Sequence, residues 1–362
     1  MAAPSPRASS ALHTLFVLSV AGCGASHGGA ATATREPTHE PALYTIHEWG
    51  VVRAEAGDQL RVSASAPQRA AEYFFDPGAV VEKPVLYFHV AGDTTVALRS
   101  LRITVDDRIV EHWPHTGPLA SPSTLAWNDW TILREHCVAT RYPSASEAPC
   151  DALGAGECEA EGLRAHETES SGCLEREGER ANMLFYRSST RVAPPIVLRR
   201  EGGSLRVTHA SDDAMPDTLI VRVRGAAASM LAAPPPHGTV ELAEPTGSVA
   251  DAVTALRAET ARRGLDAEEV AAFWRAWEGT LVGDPQRPLP AVTAEVPPAE
   301  DEAEEALPRE RAHGELPPPS PADRVFYFLP RATIDAMSRL EADPPPSELV
   351  RVFAVIQAVP EG

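Results

Sequence analysis

Two short clusters in the chain carry side chains that can move a proton or hold a metal ion: His47-Glu48-Trp49-Gly50 and Glu111-His112-Trp113-Pro114-His115. Imidazole and carboxylate together suit general acid–base chemistry or a transition-metal site. The first cluster is not the helical H-E-x-x-H zinc signature, because Val51 stands at its fifth position and its setting is a strand. In the second, a strand running into a proline turn gives its two histidines no shared helical face. His89 ends a buried-looking strand, and His209 precedes Ser211-Asp212-Asp213. These histidines, with His47, Glu48, His112 and His115 as the candidate catalytic group, would form one site only if the fold gathers them. Dispersed residues without a spacing constraint match by chance often, so we expect them scattered at strand ends and bonded locally. No catalytic residue is assigned, and no cofactor or metal site is expected. Trp49, Trp113, Trp127, Trp130, Trp274 and Trp277 read as core before they read as a ligand platform.

The elements that must position these residues are mostly strands. From residue 43 to 245, short apolar runs alternate with turn residues and no long stretch has a helical period. Strands are expected at 44–53, 60–63, 85–90, 96–105, 109–113, 125–133, 183–187, 196–200, 205–209 and 219–223. In 96–105 the apolar phase shifts between Leu98 and Leu101, which signals a bulge near Arg99-Ser100. Residues 246–282 change character. Val249, Val253 and Leu256 fall on one helical face, and Gly264 can end that helix. Asp266 and Glu269 then form a capping box, with Leu265 stapling onto Val270, ahead of Val270, Phe273, Trp274 and Trp277 at helical spacing.

Residues 283–322 are rich in proline and acids and form a low-complexity insertion for which disorder is expected. In 323–362, apolar runs flank a short helix that opens at Pro330, carries Ile334, Met337 and Leu340, and stops at Pro344. That order reads as a βαβ unit with a parallel, right-handed crossover. No glycine-rich loop follows its first strand, so a nucleotide site is not expected. The fold class is thus α+β and β-rich: an antiparallel β-sandwich-like body with a helical hairpin and a C-terminal βαβ unit.

The N-terminal segment 1–22 has the layout of a secretion signal: Arg7, a short apolar run, then Val20-Ala21-Gly22 before Cys23. The last four match a lipobox, with Cys23 as the lipidated first residue of the mature chain. Residues 23–42 lack apolar bulk and read as a disordered tether. Their Gly24-Ala25-Ser26-His27-Gly28 matches the nucleophile-elbow pattern, but a tether supplies neither the strand nor the helix that an elbow needs. Loss of Arg7 takes the formal charge from −19 to −20, a surface that repels nucleic acid and anionic lipid head groups. Lys83 is the only lysine, so arginine abundance reflects composition and not phosphate recognition.

Cys137, Cys150, Cys158 and Cys173 lie in a polar loop at 136–180. An even set in an exported chain reads as two disulfides. Of three connectivities, the sequential one (Cys137–Cys150 and Cys158–Cys173) closes the shortest loops. A metal site with His136 and His166 is the rival, and it lacks the C-x-x-C pair usual for zinc.

His47-Glu48-Trp49-Gly50, Pro84-Val85-Leu86-Tyr87-Phe88, Glu111-His112-Trp113-Pro114, Leu184-Phe185-Tyr186-Arg187 and the closing pattern from Val325 to Val355 together resemble an uncharacterised family of exported bacterial proteins with no assigned activity. The resemblance implies one integrated fold, with the C-terminal unit packed on the β body, and carries over no catalytic residue. The reading that follows is an exported lipoprotein of the bacterial cell envelope, in the periplasm or at the cell surface. It would hold a membrane through its lipid and bind a protein or small-molecule partner, without nucleic acid. The alternative is a hydrolase with a metal or acid–base site.

Overall fold

A computed structural model describes residues 44–54, 79–138, 140, 142, 165–202, 204–279 and 323–360. The expected signal segment, the expected tether with Cys23, the strand expected at 60–63, Cys150, Cys158 and the expected insertion at 283–322 lie outside the described residues. The first half contributes β1 (Tyr44–Ala54), β2 (Ala79–Val90), β3 (Val96–Val105), β4 (Arg108–Trp113), β5 (Thr124–Leu133), β6 (Cys173–Arg176), β7 (Glu179–Ala181) and β8 (Leu184–Thr190). Then come β9 (Ile196–Glu201), β10 (Ser204–His209), β11 (Leu219–Arg224), β12 (Ala227–Ala232), β13 (Thr239–Leu242) and β14 (Gly247–Ser248). Two helices follow, α1 (Val249–Arg262) and α2 (Ala267–Glu278), and the chain closes with β15 (Asp323–Phe328), α3 (Arg331–Met337), β16 (Ser338–Asp343) and β17 (Glu348–Ala358). The fold is α+β and β-rich.

Nine strands form the main sheet in the order β14-β12-β11-β15-β17-β1-β2-β8-β4. Every pairing in it is antiparallel except that of β1 with β17. Smaller sheets, β16-β3-β5-β6-β7 and β13-β10-β9, complete the β structure. Alternation along the central strands sorts side chains between two layers. Val352, Ala354 and Ile356 of β17 and Phe326 and Phe328 of β15 share a core with Leu256, Phe273, Trp274 and Trp277 of the helices. Phe353, Val355, Val325 and Tyr327 instead join Leu198, Leu205 and Val207 of the three-stranded sheet. The main sheet is therefore covered by helices on one face and by smaller sheets on the other.

The helical hairpin follows its sequence signals. Ser248 caps α1 by accepting from the amides of Ala250 and Asp251, and Gly264 ends it at φ +106°. Asp266 and Glu269 form a complete capping box at the start of α2. Phe273 then lies 5.2 Å from Trp49 and 6.2 Å from Phe328, and Trp274 lies 6.3 Å from Phe326, so α2 crosses the centre of the sheet.

Three expectations change. The C-terminal unit has the order strand, helix, strand, but β15 and β17 are adjacent and antiparallel, so the crossover is not parallel. Between them the chain leaves the main sheet to form β16 against β3. The segment 338–343 is thus a strand and not the end of a helix. Leu340 and Ala342 are half-buried while Arg339 and Glu341 are exposed, a period of two that Leu340 alone disguises as helical. Finally, the phase shift in β3 produces no register slip. Pairing runs unbroken in register from Val96–Ile132 to Thr104–Thr124, because β5 shifts phase at the same level, between Trp127 and Trp130. Asp129, at φ 58°, absorbs the matching extra residue.

The cysteine loop also departs from expectation. Cys137 pairs with Cys173, 36 residues apart, which overturns the sequential connectivity. The sheet decides this: the Cys173 amide donates to the carbonyl of Glu135 (2.8 Å), which brings the two ends of the loop side by side. Non-reducing peptide mapping should recover a Cys137–Cys173 crosslink. Cys137→Ser should lower stability by about 3–4 kcal/mol, the loop entropy restored to the unfolded chain. A crosslink from Cys137 to Cys150 would contradict the structure.

Candidate functional site

In the His47-Glu48-Trp49-Gly50 run, alternation along β1 sends neighbours to opposite layers. Glu48 enters the β layer, fully buried, where Arg351 of β17 stands directly across from it. The Arg351 Nε donates to Glu48 Oε2 (2.5 Å), the Tyr186 hydroxyl donates to Oε1 (2.9 Å), and Arg351 also reaches the Ser338 carbonyl (2.7 Å) and Asp335 (2.9 Å). Burial alone would lower the Arg351 pKa, but the Glu48 charge outweighs it and holds the guanidinium charged. Arg351 and Tyr186 between them engage both oxygens of Glu48. Close approach favours glycine at position 50, since a Cβ there would crowd the Phe353 ring at 3.0 Å and the Pro84 backbone at 3.3 Å.

His47 and Trp49 face the helices instead. Three elements meet at His47: β1 itself, β2 through His89, and the first turn of α2 through Glu269. The rings of His47 and His89 are 4.4 Å apart. His47 Nδ1 lies 2.8 and 3.0 Å from the two Glu269 oxygens, and His89 Nε2 lies 2.9 Å from Oε1. The Asp266 amide donates to Glu269 Oε2 (2.9 Å), so one carboxylate closes the capping box and receives both imidazoles. Glu269 is completely buried; burial pushes its pKa up, but the hydrogen bonds from the histidines outweigh that and hold it near 2. His89 moves the other way: burial lowers its pKa, yet the bond to Glu269 raises it further. His89 Nδ1 also faces the Ser170 carbonyl at 3.1 Å. Without an ion, both ring nitrogens of His89 therefore face acceptors, which makes it an imidazolium.

The loop carrying Ser170 is itself fixed. Gly172 donates to the Phe88 carbonyl (2.7 Å), and a Cβ at Gly172 would sit 2.3 Å from the Leu133 carbonyl. Arg275 of α2 donates to the carbonyls of Ala165 and Glu167. The Cys137–Cys173 bridge lies beside this loop, and it takes two thiolates away from the rival metal site with His136 and His166.

The second cluster is separate. The His112 and His115 rings are 5.0 Å apart, and His112 Nε2 accepts from the Thr116 amide (3.2 Å). His115 Nδ1 accepts from the Gly117 amide (2.9 Å), while Glu111 pairs with Arg187 at 3.7 Å. His209 is buried with Nδ1 3.0 Å from the Pro234 carbonyl. His112 and His115 are thus bonded within their own turn, and His209, at a strand end, to a carbonyl 25 residues on. His47 differs: its partner lies 222 residues away. Sequence reasoning counted His89 among the histidines that a fold could gather into one site, but read Glu269 only as a helix cap. The missed signal was that a capping box engages just part of its carboxylate's capacity. Among the described residues, His47, His89 and Glu269 are the one trio of His, Cys, Asp or Glu whose ligand atoms lie within 4.8 Å of one another.

No family model matches the chain, and no curated protein matches it.

Burial and the nearby His115 push the His112 pKa down from 6.5 to about 4. A base with a depressed folded pKa is intact above its unfolded value and penalises folding as pH falls. Its contribution should therefore be lost between pH 6.5 and about 4. Urea midpoints at pH 7.5 and 5 should fall more for the natural chain than for His112→Gln, which keeps an acceptor for Thr116 without the titration. Equal losses would show that His112 is not the group responsible.

Proposed function

We propose that the protein is a lipid-anchored cell-envelope protein whose folded body is a non-catalytic binding or structural module. One observation carries this reading: the candidate catalytic residues are parcelled into three places. Glu48 is engaged by Arg351 and Tyr186 in the β layer, His47 faces Glu269 on the helical side, and His112 and His115 bond to their own turn. Glu48, His47 and the His112–His115 pair thus hold separate partners, and the four do not make up one acid–base constellation. The anchor rests on the lipobox ending at Cys23, and the acidic surface disfavours nucleic acid. No helix among the described residues is long and apolar enough to cross a membrane.

Two outcomes test the proposal. Cys23→Ser should abolish incorporation of radiolabelled fatty acid, because no other attachment point for the thioether-linked lipid is expected; label retained by the variant would remove the anchor. Assays with ester, phosphate and peptide substrates should show no turnover. Hydrolysis lost on His112→Ala, with the circular dichroism spectrum unchanged, would establish an enzyme.

A further inference from the structure

We propose that His47, His89 and Glu269 form a binding site for one divalent transition-metal ion of the zinc class. The inference concerns the folded body and depends neither on the anchor nor on whether the protein is catalytic. The three ligands come from β1, β2 and α2, and their donor atoms lie within 4.8 Å of one another. Two imidazoles and one carboxylate suit zinc and its first-row neighbours; magnesium and calcium need a shell of oxygens that this site does not offer.

The surroundings of the trio fit metal ligation. A metal-bound histidine usually donates its other ring N–H to a carbonyl or carboxylate, which fixes its tautomer. His89 has that arrangement: Nδ1 faces the Ser170 carbonyl at 3.1 Å, leaving Nε2 to point at the trio's centre. The Glu269 carboxylate is oriented by the Asp266 amide (2.9 Å) and is wholly buried on a helix that packs across the sheet. Such a ligand cannot swing away when an ion arrives, so little ordering entropy is lost on binding.

The contacts as they stand are hydrogen bonds of 2.8–3.0 Å. Tetrahedral zinc at about 2.0–2.1 Å from each ligand separates donor atoms by roughly 3.3–3.4 Å. The imidazoles need to withdraw by only about half an ångström. Both have that freedom, because their side chains are 14% and 22% exposed, whereas Glu269 is at 0%. The same exposure lets solvent reach the ion, so the three protein ligands leave an open position for water or for a partner's donor group. Binding an ion replaces the N–H hydrogen bonds from the two imidazoles to Glu269: His89 releases its Nε2 proton to solvent and stays neutral with Nδ1–H on the Ser170 carbonyl, while His47 ligates through Nδ1 as the tautomer that carries its proton on Nε2.

The test is metal binding by the purified full chain after removal of adventitious metal. Isothermal titration with zinc should give one site per chain, and cobalt(II) should produce the intense visible bands of a four- or five-coordinate site. Calcium and magnesium should give neither. His47→Ala and His89→Ala should each weaken zinc binding by at least about a hundredfold, more than loss of a supporting contact does. Both sit at the rim of the site, and circular dichroism establishes that they remain folded. Should either variant unfold, cobalt titration of the natural chain followed by proton NMR decides the matter, since only ligating imidazoles give strongly shifted exchangeable resonances. Failure of the natural chain to bind zinc would overturn the proposal. So would zinc binding that survives both substitutions, or cobalt spectra of six-coordinate surface ions only.

Discussion

The first strand of the body must find the last one and lie parallel beside it, with a buried charge from each in register. Glu48 and Arg351 are 303 residues apart, and each leaves water completely on the same side of the sheet. Removing one partner of such a pair typically costs about 3–5 kcal/mol, because the other is left as an uncompensated buried charge. Out of register, each charge would face apolar neighbours. The pair therefore sets alignment more than it adds net stability, since apolar residues of similar volume could replace it at little cost. With β17 aligned, Phe353 closes over Gly50 and the central strands sort their side chains between helices and small sheets.

The same strand ties the helical layer down by a different chemistry. Between β1 and α2 the apolar contact of Trp49 with Phe273 is supplemented by His47 and His89 converging on Glu269. A buried carboxylate with a pKa near 2 is a strong demand on its surroundings, and here four hydrogen-bond contacts from three segments meet it. The arrangement gives α2 a single docking position. Apolar packing alone would tolerate small slides of the helix, whereas these hydrogen bonds do not.

Much of the fold is legible in the chain, because its strong signals are local. The capping box at Asp266 and Glu269, the period of Phe273, Trp274 and Trp277, and the alternation in β1 each need fewer than a dozen residues to read. The C-terminal segment was misread where two periods coincide: Ile334, Met337 and Leu340 fit a helical face, while Leu340 and Ala342 equally fit a strand. The antiparallel body was legible, but the pairing of the closing strand was not, since β17 is oriented by β1, at the far end of the sequence. The candidate site was half legible for the same reason. His47 drew attention through its neighbours, but nothing near residue 47 or residue 89 points to residue 269. His112 and His115 attracted equal notice because they stand close in sequence, and their proximity proves to be that of one turn bonded to itself.

The parallel neighbour of β1 has a consequence for synthesis. A chain that has emerged only as far as β16, from a ribosome or from a translocation pore, carries a β1 that still lacks its companion on one edge. That edge belongs to a strand that the finished fold buries on both faces, and an unpaired edge of this kind recruits strands from other molecules. Pairings of such long sequence separation also form slowly. The nascent protein therefore passes through a stage at which aggregation competes with completion, and a holding chaperone has most to protect in the interval before Glu348–Ala358 emerges.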